Sequence, residues 1–196
     1  MSGSPLGKTL RETVETLILA LVLTLLIRGF IMESFLVQGH SMEPTLHHGE
    51  RLLVNKVLYR WREPVRGEIV VFRYPRDENT DFIKRVMGLP GETVELRLGR
   101  LYIDERPLHE PYIRQAGLSN MDPVTIPEGQ VFVLGDNRTN SEDSRVFGPI
   151  DVGDIKGKAF IVFWPLPRVQ VLADSMLPQA SCFVLCHIPS PGWVWP

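Results

Sequence analysis

Cysteine is scarce in this chain of 196 residues, and the few that occur lie at its end. Cys182 and Cys186 are the two cysteines, and both fall within the last fifteen residues. The first 181 residues therefore contain neither a disulfide nor a site in which thiolates bind a metal. No disulfide framework is available to assign a compartment.

An excess of positive charge is also missing. The formal net charge is −2, with 21 Lys and Arg against 23 Asp and Glu. No basic surplus is available to neutralise phosphates, so nucleic acid is not a predicted partner. Hydrophobic residues make up 44% and charged residues 22%, both near globular averages, which favours one ordinary domain with an appendage.

Histidine is present, but not at the spacings on which hydrolases are built. The chain has neither an H-E-x-x-H nor an H-x-H pair, and it has no G-x-S-x-G elbow. A zinc site and a Ser-His-Asp triad are alternatives without a supporting motif, and we predict that neither a metal nor a cofactor is used. The five histidines are His40, His47, His48, His109 and His187.

One long apolar run stands near the N-terminus. Residues 14–32 read VETLILALVLTLLIRGFIM, and a helix of that length rises about 28 Å, close to the ~30 Å hydrocarbon core. We predict an uncleaved single-pass anchor, which makes the lipid bilayer a partner. Lys8 and Arg11 precede the run and Arg28 follows it, which favours a cytoplasmic N-terminus and an extracytoplasmic remainder.

A cleaved secretion signal and a buried helix of a soluble protein are the alternatives to an anchor. A secretion signal also has a short apolar stretch behind basic residues, but residues 28–41, RGFIMESFLVQGHS, contain no A-x-A-like cleavage site. Against the buried helix, the run is apolar on nearly every face.

Beyond the run, short β-like stretches alternate with turn residues. The chain has sixteen glycines and sixteen prolines, and many of them lie between these stretches, where they favour turns. This texture predicts a mainly β fold, an antiparallel domain shaped as a barrel or as two packed sheets. Gly99 separates two of the stretches and predicts a hairpin there. The predicted strands are residues 50–56, 68–75, 82–88, 92–98, 100–104, 130–135 and 159–164.

Lys84 is the residue that could supply a different hydrolytic chemistry. It lies in FIKRVMG, residues 82–88, among apolar neighbours. A lysine acts as a general base only when neutral, which requires its pKa to fall by ~3 units from about 10.4, and burial has that effect. Strand alternation places Arg85 on the opposite face. The alternative is an edge-strand lysine whose amine stays in water.

A polar segment, GDNRTNSEDSRVFG at residues 135–148, follows the sixth predicted strand. A solvated loop accounts for this composition, since Gly-Asp-Asn is common in turns. Asp143 and Arg145 are two positions apart, so in extended chain they share a face and can pair.

Three segments stand out when they are taken together: SMEPTL at 41–46, FIKRVMGLPGE at 82–92 and GDNRTNSEDSR at 135–145. They resemble the serine, lysine and C-terminal boxes of the type I signal peptidases, which are membrane-anchored serine proteases with a Ser-Lys dyad. They stand in the family's order behind an N-terminal anchor, and the resemblance runs from about residue 10 to 168.

The resemblance implies that Ser41 is the acylating nucleophile and Lys84 the general base. The backbone N–H of Ser41 would supply one oxyanion donor. Some members carry a serine two residues before the nucleophile, where this chain has Gly39, so the second donor is unassigned.

The resemblance also assigns supporting roles to the polar segment. Ser141 would hydrogen-bond and orient the lysine, and Asp143 would form an ion pair with Arg145. Three further residues would shape the site: Gly135, Asp136 and Ser144.

The implied substrates are the signal peptides of exported preproteins, cut after small residues of the A-x-A type. Small side chains need shallow apolar pockets, and an extended substrate can add a strand to a sheet edge. The candidate pocket residues near the dyad are Phe35, Leu36, Val37, Met42, Ile83 and Val86.

These predictions divide the chain into three parts. Residues 1–33 form a cytoplasmic N-terminus and membrane anchor, residues 34–168 an extracytoplasmic β-rich catalytic domain, and residues 169–196 a tail without an assigned role. Two alternatives remain. One is a regulatory Ser-Lys protease that cleaves itself, and the other is a membrane-tethered β-rich module that binds a partner.

Overall fold

The chain begins with a helix that leads directly into the first strand. The computed structural model describes residues 5–173, so Cys182 and Cys186 and most of the predicted tail lie outside the described residues. Helix α1, Pro5–Leu26, is followed by a single π turn at Ile27–Ile31. The 21 residues Arg11–Ile31 are long and apolar enough to cross a membrane, and their described side chains lie outside any core. This exposure argues against the buried helix of a soluble protein.

The rest of the described chain forms two antiparallel sheets, which confirms the predicted mainly β fold. All seven predicted stretches form strands, and the sequence pattern does not predict the remaining five. The strands are β1 Met32–Leu36, β2 Arg51–Asn55, β3 Ile69–Tyr74, β4 Asp77–Gly88, β5 Thr93–Arg97, β6 Arg100–Ile103, β7 Arg106–Pro107, β8 Met121–Thr125, β9 Gln130–Leu134, β10 Ile150–Asp151, β11 Ile155–Trp164 and β12 Gln170–Val171. A short helix, α2, covers Ser144–Phe147.

The larger sheet has the strand order β1-β2-β11-β3-β4-β9-β10, with β12 added beside β11. The smaller sheet has the order β7-β6-β5-β8. Its β5–β6 hairpin is the one predicted around Gly99, because Arg97 pairs with Arg100. Leu98 and Gly99 both have positive φ, 49° and 77°, as a two-residue hairpin turn of the I′ kind requires.

Strand β9 packs against the cores of both sheets, and both of its faces are therefore buried. Val131 and Val133 pack into a cluster within the larger sheet, whereas Phe132 and Leu134 pack into the core of the smaller sheet. This two-sided burial explains why the strand is an unbroken apolar run rather than an alternating one. The polar segment 135–148 starts where β9 ends, so a rigid strand fixes its position.

Candidate active site

Lys84 and Ser41 meet in space although 43 positions separate them in the sequence. The Lys84 Nζ donates a hydrogen bond of 2.8 Å to the Ser41 Oγ. Lys84 lies in β4, and Ser41 lies in the connection between β1 and β2. Only 4% of Lys84 is exposed. The alternative of a lysine whose amine stays in water is therefore wrong, because the residue is buried and its amine bonds to Ser41, although Lys84 does lie where β4 has only β3 as a strand neighbour.

Burial is the main influence on the Lys84 amine. It lowers the pKa of Lys84 from its ordinary value to about 8, since loss of water disfavours the charged form. The negative charges of Asp143, Glu142 and Asp136 oppose this shift, and the positive charge of Arg145 adds to it. An amine with this pKa is neutral in a useful fraction of molecules near neutral pH, as a general base must be.

The segment that carries Ser41 is tied to the polar segment by backbone contacts. The backbone N–H of Asn137 donates to the Ser41 carbonyl at 2.9 Å, and the Asn137 side-chain amide donates to the His40 carbonyl at 3.1 Å. On the other side, the Gly39 N–H donates to the His48 Nδ1 at 3.1 Å. The Gly39 N–H is thus already engaged and is not directed at a substrate oxygen.

Asp143 and Arg145 form the predicted ion pair, although not in extended chain, because Asp143 caps helix α2 and Arg145 lies inside that helix. Arg145 Nε lies 2.7 Å from Asp143 Oδ1, and Arg145 Nη2 lies 2.8 Å from Asp143 Oδ2. Asp143 is fully buried and also accepts the Gly135 N–H at 3.0 Å. The neighbouring Ser144 hydroxyl accepts the Val133 N–H at 2.9 Å. These contacts fasten the polar segment to the end of β9.

Gly135 lies where no larger residue fits. A Cβ at this position would collide with the Ser141 side chain and would lie 2.6 Å from the Ser41 carbonyl oxygen. The Ser141 hydroxyl is buried and has no hydrogen-bond partner among residues 5–173. The expected hydrogen bond from Ser141 to Lys84 is therefore not formed, because the hydroxyl faces the Gly135 α-carbon while the lysine amine bonds to Ser41.

Asp136 has a partner that the sequence does not identify. Arg85 Nε donates to Asp136 Oδ1 at 2.9 Å and Arg85 Nη2 donates to Asp136 Oδ2 at 2.6 Å, with both residues almost completely buried. Arg85 faces away from Lys84, as strand alternation predicts. An arginine inside an apolar strand needs a buried carboxylate. An arginine at this position therefore predicts a buried acidic partner, but the sequence does not show which acid it is.

A groove of about 830 Å³ runs past Ser41 and Lys84. Its lining combines apolar side chains with polar ones that include Asp81, Asn140 and Glu142. Four of the six predicted pocket residues line the groove, namely Phe35, Leu36, Val37 and Ile83.

The other two predicted pocket residues, Met42 and Val86, are wrong as groove residues. Met42 is 1% exposed and packs into the core beneath the serine segment. Val86 is fully buried in a cluster with Val70 and Val133 inside the larger sheet. Both neighbour the dyad in the sequence, but the side chain after Ser41 turns inward, and Val86 lies beyond the point where β9 joins β4.

Known proteins resemble this chain over most of its length. Residues 10–164 match the family described as "Signal peptidase, peptidase S26". The chain is 42% identical over 178 residues to a probable signal peptidase I-2 of Synechocystis sp., covering 88% of this chain and 81% of the relative. It is 41% identical over 173 residues to a signal peptidase I of Bacillus licheniformis, covering 83% and 92%. A crystal structure of a signal peptidase I from Enterococcus faecalis aligns with a TM-score of 0.45 and 36% identity over 50% of this chain and 97% of that chain.

These similarities first define a class, because each named relative is a peptidase: the chain is a serine endopeptidase. Within that class, it belongs to the signal peptidase family, peptidase S26.

Proposed function

We propose that this protein is a membrane-bound enzyme that removes signal peptides from exported preproteins, with Ser41 as the nucleophile and Lys84 as the general base. The observation that carries the proposal is the 2.8 Å contact between the Lys84 amine and the Ser41 hydroxyl, in a groove that both apolar and polar side chains line. Membership of the signal peptidase family supplies the substrate class.

In the proposed reaction, the neutral Lys84 amine accepts the Ser41 proton as Oγ attacks the carbonyl carbon of the scissile peptide. The ammonium of Lys84 then donates that proton to the leaving amine, and the signal peptide remains as an ester on Ser41. Lys84 next deprotonates a water molecule, which attacks the ester carbonyl. The Lys84 ammonium then returns the proton to the Ser41 Oγ as the ester bond breaks, and the signal peptide leaves with a free carboxylate. The Ser41 backbone N–H is the proposed first oxyanion donor. The second donor is a group other than the Gly39 N–H, which His48 holds.

The substrate is proposed to bind as an extended strand between two sheet edges. Within residues 5–173, β1 pairs only with β2. Strand β4 pairs with β9 only from Arg85 onward, so its residues before Arg85 have β3 as their one strand neighbour. Both free edges line the groove. A peptide inserted there can form backbone hydrogen bonds while its small side chains contact the apolar residues of the groove.

The connection between the N-terminal helix and Ser41 limits how far the nucleophile can lie from the bilayer. Ser41 lies nine residues after Met32, where the helical segment gives way to β1. A connection this short keeps Ser41 near the bilayer surface, where a signal peptide leaves the lipid. Lys8 and Arg11 precede the apolar run and Arg28 follows it, which favours a cytoplasmic N-terminus. We therefore propose that residues 1–33 contain a cytoplasmic N-terminus and the anchor, and that residues 34–168 form an extracytoplasmic catalytic domain. Residues 169–196 have no proposed role.

Cleavage of a purified preprotein tests the proposal. The full chain, in detergent or in vesicles, is incubated with a preprotein that has an A-x-A site, and the product is identified by N-terminal sequencing. The expected product begins directly after the last residue of the site. A matched preprotein with a large residue at that last position should remain uncut. No cleavage of the first substrate, or equal cleavage of both, would count against the proposed function and leave the binding module as the better account.

A further inference from the structure

The connection between β7 and β8 contributes two side chains that reach across to the larger sheet. This connection, residues 108–120, contains no helix or strand. Its Glu110 carboxylate is buried, with 4% of the side chain exposed, and Tyr112 packs against the core of the smaller sheet. Neither residue lines the groove. Their contacts lie instead with two buried arginines.

Glu110 binds Arg138, whose side chain is completely buried. The two carboxylate oxygens receive the two terminal nitrogens of the guanidinium, and the Nη1–Oε2 distance is 3.2 Å. The third nitrogen, Arg138 Nε, donates to the Gly135 carbonyl at 3.1 Å. A buried guanidinium needs a counter-charge, so Glu110 fixes where Arg138 lies and thereby fixes the Gly135 peptide.

Tyr112 contacts the second arginine. The Arg85 guanidinium lies 4.1 Å from the centre of the Tyr112 ring, within the range of a cation–π interaction. The Tyr112 hydroxyl donates to Glu110 Oε1 at 2.8 Å, which joins the two contacts into one network. Since Arg85 binds Asp136 through two hydrogen bonds, Tyr112 supports the residue that follows Gly135.

The backbone held in this way is the backbone that touches the nucleophile. The Gly135 α-carbon packs against the Ser41 carbonyl, and the Asn137 N–H donates to the same oxygen. Arg85 is also the immediate neighbour of Lys84. A displacement of residues 135–138 therefore moves Ser41, while a displacement of Arg85 moves Lys84.

We infer that Glu110 and Tyr112 are positioning residues that hold Ser41 and Lys84 at hydrogen-bonding distance through Arg138 and Arg85. This inference rests on the proposed function, because it assigns the pair a role in the Ser41–Lys84 reaction. Neither residue touches the groove, so their effect falls on the chemical step rather than on substrate binding.

The test is a set of steady-state measurements on the full chain with the A-x-A preprotein. The Glu110→Gln variant keeps the shape of the side chain but removes its charge. The expected result is a fall in kcat of about 10-fold with KM within about twofold of wild type, since small misplacement of reacting groups costs rate. Glu92→Gln is the matched control, because Glu92 also pairs with an arginine, Arg66, but contacts no residue of the 135–148 segment.

Unchanged kcat in Glu110→Gln, a rise in KM alone, or an equal loss of kcat in Glu92→Gln would overturn the inference. If Glu110→Gln does not fold, Tyr112→Phe decides the question, since it removes only the hydroxyl that bonds Glu110. A fall in kcat of about threefold at unchanged KM supports the inference, and an unchanged kcat overturns it. Failure of the proposed function is distinguishable, because wild type itself would then leave the preprotein uncut.

Discussion

The Lys84 amine lies 2.8 Å from the Ser41 hydroxyl, and the same burial that covers the amine lowers its pKa to about 8. Lys84 therefore has both the position and the lowered pKa that a general base for Ser41 requires. A charged ammonium in this place could only donate to the serine, whereas the neutral amine can take the serine's proton. The acids of the polar segment limit how far the pKa falls.

The first prediction concerns the pH dependence of catalysis. Lys84 acts as a base only in its neutral form, so kcat/KM for preprotein cleavage should rise about tenfold per pH unit below pH 8 and level off above it. Initial rates at low substrate concentration between pH 5 and 10 measure this profile. A flat profile from pH 5 to 9 would contradict a lysine base.

Glu142 offers a way to shift that profile. Its negative charge raises the pKa of Lys84, and its carboxylate accepts the Tyr74 hydroxyl at the groove wall. Glu142→Gln keeps an acceptor for Tyr74 but removes the charge, so the midpoint of the pH profile should move to lower pH. The exposed acid Glu63, which is not among the charges that act on Lys84, provides the control Glu63→Gln, for which the midpoint should stay in place. A midpoint that moves upward in Glu142→Gln would contradict the electrostatic account.

Gly135→Ala tests the close approach between the polar segment and the nucleophile. The added methyl would collide with Ser141 and with the Ser41 carbonyl, so we expect a loss of activity and a fall in the free energy of unfolding of about 1–3 kcal/mol. Gly153→Ala is the control, because a Cβ there meets no atom within 4 Å. Urea unfolding followed by circular dichroism compares the two variants. Equal stability of both would show that the site tolerates the methyl group.

Lys84 should also limit the stability of the domain. The unfolded chain titrates near the ordinary pKa of 10.5 and the folded chain near 8, so the unfolded state binds more protons between these values and stability rises with pH in that window. Below pH 8 the full cost of burying the ammonium remains. Replacing the charge in Lys84→Met should raise the free energy of unfolding at pH 7 by about 2 kcal/mol, after about 1 kcal/mol is subtracted for the lost hydrogen bond.

The gain in Lys84→Met should shrink as the pH approaches 10.5. Denaturant unfolding at pH 7 and at pH 10 measures both values on a variant that is expected to be inactive. A variant less stable than wild type at pH 7 would show that burial of the charged amine does not lower the free energy of unfolding as predicted.

The strands that the sequence predicts well are those whose apolar residues are buried. Strand β9, which is buried at all four of its apolar residues, is predicted to within one residue, and the Gly99 hairpin is predicted from its turn residue. Strands β1 and β8 escape prediction. Strand β1, MESFL, follows directly on the apolar run, and β8, MDPVT, has few apolar side chains; both strands are only partly buried. Strand β8 even contains Pro123, which an edge strand tolerates but which argues against a strand in the sequence.

The dyad can be predicted because its two residues lie inside recognisable segments, whereas its supports cannot. Glu110 and Arg138 lie 28 positions apart, and no periodic pattern in the β7–β8 connection marks Glu110 as buried. The same limitation accounts for the errors at Met42 and Val86. Proximity in sequence to a reactive residue does not reveal on which side of the backbone a side chain is covered.

The most direct test of the Ser41–Lys84 mechanism compares cleavage by wild type, Ser41→Ala and Lys84→Ala under single-turnover conditions at pH 9. Each substitution removes one atom of the 2.8 Å contact and leaves every other residue that lines the groove unchanged. We predict that both variants fold and that both cleave the A-x-A preprotein at least about 10³-fold more slowly than wild type. Cleavage by either variant at the wild-type rate would contradict the mechanism.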